Sequence, residues 1–282
     1  MPHGCNRRGS AIAIFCALVV TCVAFAAASM AGAQPPADRI RIEFSQGKRF
    51  GLMVNDGHGQ FQKLTFSPDG QTNRTHVRIG GRDEVEFGSP AGRWLPAKGI
   101  AKQPGAALRH VDMSTWVYED MHITQDVRVI GDTCEVIYVF ENKGKQRTAE
   151  LRVVIDTFIA DNDGCPFLVD GKLISKPVPF ADKKIPAHVY ALQKTDPANP
   201  GLVAHLQLKG LPELVDPVRF YITQWGATQR DWELKDIPAE PIRDSAVVIY
   251  WSHSVDADKP VRFGYRYGKG NLPPYKKAPA AP

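Results

Sequence analysis

The chain predicts an all-β fold: a large two-sheet antiparallel sandwich of about a dozen strands, supersandwich-like. Three observations carry this. Gly and Pro together make about one residue in six, more punctuation than helices tolerate and typical of many short strands joined by turns. Period-two alternation of apolar and polar residues recurs along the chain. No capped amphipathic stretch of helical period stands out, and no repeat of solenoid length is seen.

The elements follow in order. Arg7 and Arg8 precede an apolar run from Ala11 to Ala28, and Ala31-Gly32-Ala33 supplies an A-x-A cleavage pattern before Gln34. This is the layout of a secretory signal peptide at residues 1–33. It implies a periplasmic or extracellular address, with no membrane span after cleavage. Residues 34–270 would form the sandwich. Residues 271–282, rich in Pro, Ala and Lys, read as a disordered tail.

Ile40 to Phe44 alternates as a half-buried strand, and Pro68-Asp69-Gly70 is a turn in which Gly accepts a positive φ. His76 to Ile79 and Glu84 to Phe87 flank Gly80-Gly81 as a hairpin. His122 to Val129, Glu135 to Phe140 and Glu150 to Ile159 read as a three-stranded meander turning at Asn142 to Lys145. Val189 to Gln193 and Val203 to Leu208 form a further hairpin; Val218 to Gln224, Val247 to Trp251 and Val261 to Tyr267 complete the set.

The net charge of +5 is spread too thinly for nucleic acid, which needs a concentrated basic face. No HExxH, P-loop, CxxC or G-x-S-x-G occurs. No pair of His shows metal spacing on one face. Outside the signal only Cys134 and Cys165 remain. If the meander holds and the chain next turns at Asn162-Asp163-Gly164, these two lie about six residues apart along the strand, roughly 20 Å. A disulfide tolerates less than about 7 Å between Cα atoms, so both thiols are expected free.

The densest chemistry lies between Leu151 and Phe167. Strand alternation puts Arg152, Val154, Asp156 and Phe158 on one face. Asp156 then sits among apolar residues and needs a partner, for which Arg152 is the nearest cation in sequence. Asp161, Asn162 and Asp163 crowd the following loop. Asp156, Asp161, Asn162 and Asp163 are therefore candidate ligand-binding residues. Asp161 and Asp163 are candidate ligands for a metal, calcium being the cofactor that carboxylate oxygens suit. The bland alternative is a structural turn whose Asp side chains bond nearby backbone. Trp225 and Trp232 flank a polar loop and could stack on a sugar; packing anchors are the competing reading.

The segment Asp156-Thr157-Phe158-Ile159, with Asn162-Asp163-Gly164 and Pro166-Phe167, resembles an uncharacterised family of secreted bacterial proteins. Lys63-Leu64-Thr65-Phe66, Pro197 with Pro200-Gly201, Val248-Ile249-Tyr250-Trp251, and Gly264-Tyr265 with Tyr267-Gly268 echo the same family. The resemblance implies a β-sandwich whose layout is similar to the galactose-mutarotase type, by analogy of architecture only. It brings no reaction, and no His–Glu spacing here allows the acid and base of a mutarotase to be carried over. Two functions are expected. One is a non-catalytic module binding carbohydrate or another envelope component. The other is a carbohydrate-active enzyme using spare carboxylates such as Asp156, Asp161, Asp163, Glu84 and Glu86. A concave sheet face with a His and a carboxylate in hydrogen-bond reach would favour the enzyme.

Overall fold

A computed structural model describes residues 39–97, 108–229, 231–235, 237 and 239–274. The signal segment 1–33 and most of the expected tail lie outside them. The described residues contain no α-helix, and antiparallel strands dominate. Numbered along the chain, β1 (Ile40–Phe44), β2 (Phe50–Asn55) and β3 (Phe61–Lys63) form a three-stranded ribbon. A six-stranded sheet runs β13 (Val178–Ala181), β16 (Arg219–Gln224), β17 (Ser245–Val255), β10 (Arg147–Asp156), β4 (Arg74–Ile79), β5 (Val85–Glu86). A nine-stranded sheet runs β12 (Lys172–Ile174), β11 (Phe167–Val169), β14 (His188–Leu192), β15 (Val203–Gln207), β18 (Val261–Lys269), β9 (Thr133–Asn142), β8 (Met121–Ile130), β7 (Leu108–Tyr118), β6 (Arg93–Trp94).

The two large sheets bury one core between them. Leu151, Val153 and Ile155 of β10 and Val247, Ile249 and Trp251 of β17 meet Val136, Tyr138 and Phe140 of β9 and Phe263, Tyr265 and Tyr267 of β18. Trp251 stacks on Phe263 and Tyr265 and donates its indole N–H to Val215 O at 3.1 Å. Truncating such a residue to Ala costs about 3–5 kcal/mol. The opposite face of the six-stranded sheet is also covered, by a cluster of Val154, Trp232, Ala246, Val248 and Tyr250. That is why Ala246 to Trp251 is apolar without alternation: β17 is buried on both sides.

The Gly80-Gly81 hairpin forms as read, pairing His76 with Glu86, and so does the hairpin of β14 and β15. Gly70, at φ 74°, lies so close to Phe50 that a Cβ would fall 2.1 Å from its carbonyl. The expected meander does not form. β9 already has β8 on one edge and β18 on the other, so no hydrogen-bonding edge is left for β10. The chain changes sheets instead, and β10 pairs with β17 and β4. Asn142 ties this corner: its Nδ2 donates to Lys145 O and Val255 O, and its Oδ1 accepts from Gly144 N.

The turn after β10 also differs from the reading. It falls at Ala160-Asp161, with Ile159 and Asn162 exchanging backbone hydrogen bonds and Ala160 at φ 58°. Gly164 serves another purpose: a Cβ there would meet Arg243 O at 2.8 Å, so its glycine permits close backbone approach. Cys134 and Cys165 are free and buried. Their separation has a different origin from the meander arithmetic. Cys134 lies in the nine-stranded sheet between Val129 and Tyr267, while Cys165 Sγ sits 3.1 Å from Ser245 Oγ. Past residue 270, Leu272 still packs against Leu168, Leu192 and Val203.

Candidate functional site

Alternation along β10 places Arg152, Val154 and Asp156 on the outer face of the six-stranded sheet. Asp156 is 2% exposed. Across the strand ends its carboxylate meets those of Asp163 and Asp244, with one oxygen of each lying within 4.8 Å of the others. Burial pushes Asp156 up to about 7; the Thr72 hydroxyl opposes this, and the charges of Asp244 and Asp163 add to it. Asp163 is raised by burial against the pull of Lys63, and Asp244 by burial and by Asp163. Asp156 Oδ1 and Asp163 Oδ1 are buried without a hydrogen-bond partner. Arg152 does not compensate them. Its Nη2 donates to Thr228 O at 2.8 Å and its Nε to Tyr250 Oη at 3.2 Å. Carboxylate oxygens so arranged match the ligand chemistry of a hard cation such as calcium.

Asp244 was not among the sequence candidates. The signal for it is a symmetry of strand ends: Asp156 closes an apolar strand and Asp244 opens the one that pairs with it, Asp156 lying opposite Ala246. Only the register reveals this, because 244 is remote from 156 in sequence.

The two other loop candidates go elsewhere. Asp161 is exposed and accepts from Gln193 Nε2 at 2.8 Å, while Asn162 Nδ2 donates to Gln193 O at 2.7 Å. Asp161 thus lies outside the group of Asp156, Asp163 and Asp244. It lines a groove of about 720 Å³ with Asp56, Gln62, Gln193, Lys269 and Asn271. The tryptophans do not offer a stacking platform there. Trp232 is 3% exposed, edge-on to Tyr250 and covered by the Arg78 guanidinium 4.4 Å above its ring. Trp225 is half-buried and donates its indole N–H to Thr72 O at 3.1 Å. Both anchor the loop that closes over the six-stranded sheet.

A third place was not legible in advance. On the outer face of the nine-stranded sheet, register lines up His110, Arg128, Glu135, Arg266 across four strands, with Asp126 beside them. His110 Nδ1 lies 2.8 Å from Asp126 Oδ1, and Arg128 Nε donates to Asp126 Oδ2 at 2.7 Å. Arg266 Nε donates to Glu135 Oε1 at 2.8 Å, and Arg128 Nη1 is 3.5 Å from Glu135 Oε2. Asp126 and Glu135 are buried, yet each has an arginine neighbour. Asp126 and Arg128 also line a depression of about 370 Å³ with His122, Thr124, Glu141 and Arg262.

No protein-family model matches the chain, and no curated protein matches it. Among solved structures it is similar to a polysaccharide lyase at 12% identity and a TM-score of 0.47, covering 83% of this chain and 33% of that one. It is also similar to a structural-genomics target from Synechocystis sp. PCC 6803, at 9% identity and a TM-score of 0.49, covering 82% and 92%. A third is an alpha-N-acetylgalactosaminidase from Bifidobacterium bifidum, at 12% identity and a TM-score of 0.39, covering 83% and 35%. The chain thus spans about a third of the lyase and of the glycosidase. At these identities the likeness concerns fold, and the activities in those names belong to those proteins.

Proposed function

We propose that the chain is an exported binding module that takes a carbohydrate, or another polar envelope component, in the groove at Asp161 without transforming it. The same reading sends it to the periplasm or the exterior and places it with the secreted family its Asp156–Phe167 segment resembles. The groove carries the proposal. Asp56, Gln62, Asp161, Gln193, Lys269 and Asn271 surround about 720 Å³, within the range of small-ligand sites. Side-chain amides and carboxylates are the donors and acceptors that sugar hydroxyls need. Asp161 accepts from the Gln193 amide, which holds its carboxylate in place as an acceptor for sugar hydroxyls. Calcium belongs to this reading at Asp156, Asp163 and Asp244, where it would hold the loop behind the groove.

Thermal melting against a glycan panel tests the proposal. A ligand should raise the melting temperature of the wild type, and Asp161→Ala should lose that rise while melting like the wild type without ligand. If Asp161→Ala responds to the ligand as the wild type does, the groove is not the site. One observation favours the second reading, a carbohydrate-active enzyme: the contact of His110 with Asp126 beside the depression on the nine-stranded sheet. Turnover of any panel glycan that Asp126→Asn abolishes would replace the module by the enzyme.

A further inference from the structure

The outer face of the nine-stranded sheet carries a feature that neither the groove nor the charge row uses. His188 opens β14 and His205 lies on β15, and the pairing of these strands sets Tyr190 opposite His205. His188 is therefore the diagonal neighbour of His205 on one face. The sequence hid this pair because its spacing is across strands and not along one. His188 Nδ1 and His205 Nε2 are 3.0 Å apart. We propose that His188 and His205 form a two-imidazole chelate for a divalent transition metal, copper(II) foremost, with water completing the coordination.

Three observations carry this. The first is the separation of the nitrogens. Two ring nitrogens each about 2.0–2.1 Å from one metal, at an angle between square and tetrahedral, lie about 2.9–3.4 Å apart. The observed distance needs no strand movement. The second is that the His205 ring is held. Tyr190 stacks on one side of it, with centroids 4.8 Å apart and planes 16° apart. Gly270 lies against its base, where a Cβ would fall 2.5 Å from His205 Cβ. A held ring loses little freedom on binding. The third is access. His188 is exposed, so a solvated metal can reach the pair. In the free protein one ring donates a hydrogen to the other. On binding, that hydrogen resides on the donor ring's other nitrogen, leaving two lone pairs for the metal. The step is a tautomer change and consumes no proton.

Copper ranks first among divalent first-row metals for nitrogen sites, and zinc or nickel should follow more weakly. Copper(II) titration of the full chain, read by calorimetry and by the nitrogen splitting in electron paramagnetic resonance, decides the matter. One equivalent should bind with two imidazole nitrogens. His188→Ala should bind at least tenfold more weakly and show one nitrogen. His188 is exposed, so that variant keeps the fold; His205→Gln gives an independent check on the other ligand. Failure of the wild type to bind copper stoichiometrically overturns the proposal. Wild-type affinity in both variants overturns it equally, because the copper then sits on other histidines. The test involves no glycan, so its outcome is separate from that of the binding groove.

Discussion

Two groups of buried charges lie on opposite faces of the sandwich, and they are balanced in opposite ways. On the nine-stranded sheet, His110, Asp126, Arg128, Glu135 and Arg266 alternate, and each carboxylate meets a cation. At the end of β10, Asp156, Asp163 and Asp244 converge, and the pull of Lys63 reaches Asp163 without pairing the other two. Burial is similar at Asp126, Glu135 and Asp156; only the countercharge differs. A buried pair costs desolvation that its partner offsets, whereas convergent acids are stabilised only by protons or a bound cation. The first arrangement is therefore a fixed part of the fold, and the second depends on what the solution supplies.

Breaking the first group should give the largest effect. Arg128→Met keeps the apolar stem but leaves Asp126 and Glu135 each short of a cation. Removing one partner of a buried ion pair costs about 3–5 kcal/mol. Urea denaturation should show a loss near the lower end, since His110 and Arg266 stay in place. A loss below about 1 kcal/mol would mean that the row is screened like an exposed surface pair.

The second group should respond in the other direction. Asp156 is raised from 3.8 to about 7, so between those values the folded protein holds a proton that the unfolded chain has released. Its contribution to stability is full below about pH 4 and is lost as pH rises through about 7. Asp156→Asn should therefore stabilise at pH 8, by about 1–3 kcal/mol, the cost of a buried unsatisfied group. Its new amide can donate to Asp163 or Asp244. At pH 5 the gain should shrink. Melting both proteins at the two pH values measures the difference, and an equal effect at both would remove Asp156 as the titrating group. Calcium should narrow the gap at pH 8 by supplying the missing positive charge.

How much of this could be read from the chain follows the same divide. Alternation along a strand was legible: Arg152, Val154 and Asp156 do share a face, and Asp156 is buried among apolar residues. Neighbours across strands were not. Asp244 beside Asp156, Arg128 beside Glu135, and His188 beside His205 all depend on register, which local pattern does not encode. The meander failed for a related reason, because β8 takes one edge of β9 as read, while the other is taken by β18, a strand far from it in sequence. Tryptophan placement stayed open between stacking and anchoring because a loop indole reads alike whether it faces solvent or anchors the loop, as Trp232 does.

The smallest predicted effects separate Asp161 from Asp163, which stand two residues apart. Asp161 sits in the open, and its one recorded partner is an amide. Asn at 161 keeps the acceptor for Gln193 Nε2, so Asp161→Asn should change stability by no more than about 0.5 kcal/mol at any pH. Asp163 stands inside the carboxylate cluster, and its Oδ1 has no partner to lose. Its structural duty is done by its backbone carbonyl, which accepts from Ser245 N and Oγ, both at 2.7 Å, and a side-chain change leaves that intact. Asp163→Asn removes one of three converging charges and should stabilise by about 1 kcal/mol at pH 8, less than Asp156→Asn, because Asp163 is less deeply buried. Once Asp156 is Asn, most of the repulsion is gone, so the two gains should add to less than their sum. A double-mutant cycle at pH 8, read by chemical denaturation, tests this. Full additivity would show that Asp156 and Asp163 do not feel each other's charge, and the contrast between the two faces of the sandwich would then rest on burial alone.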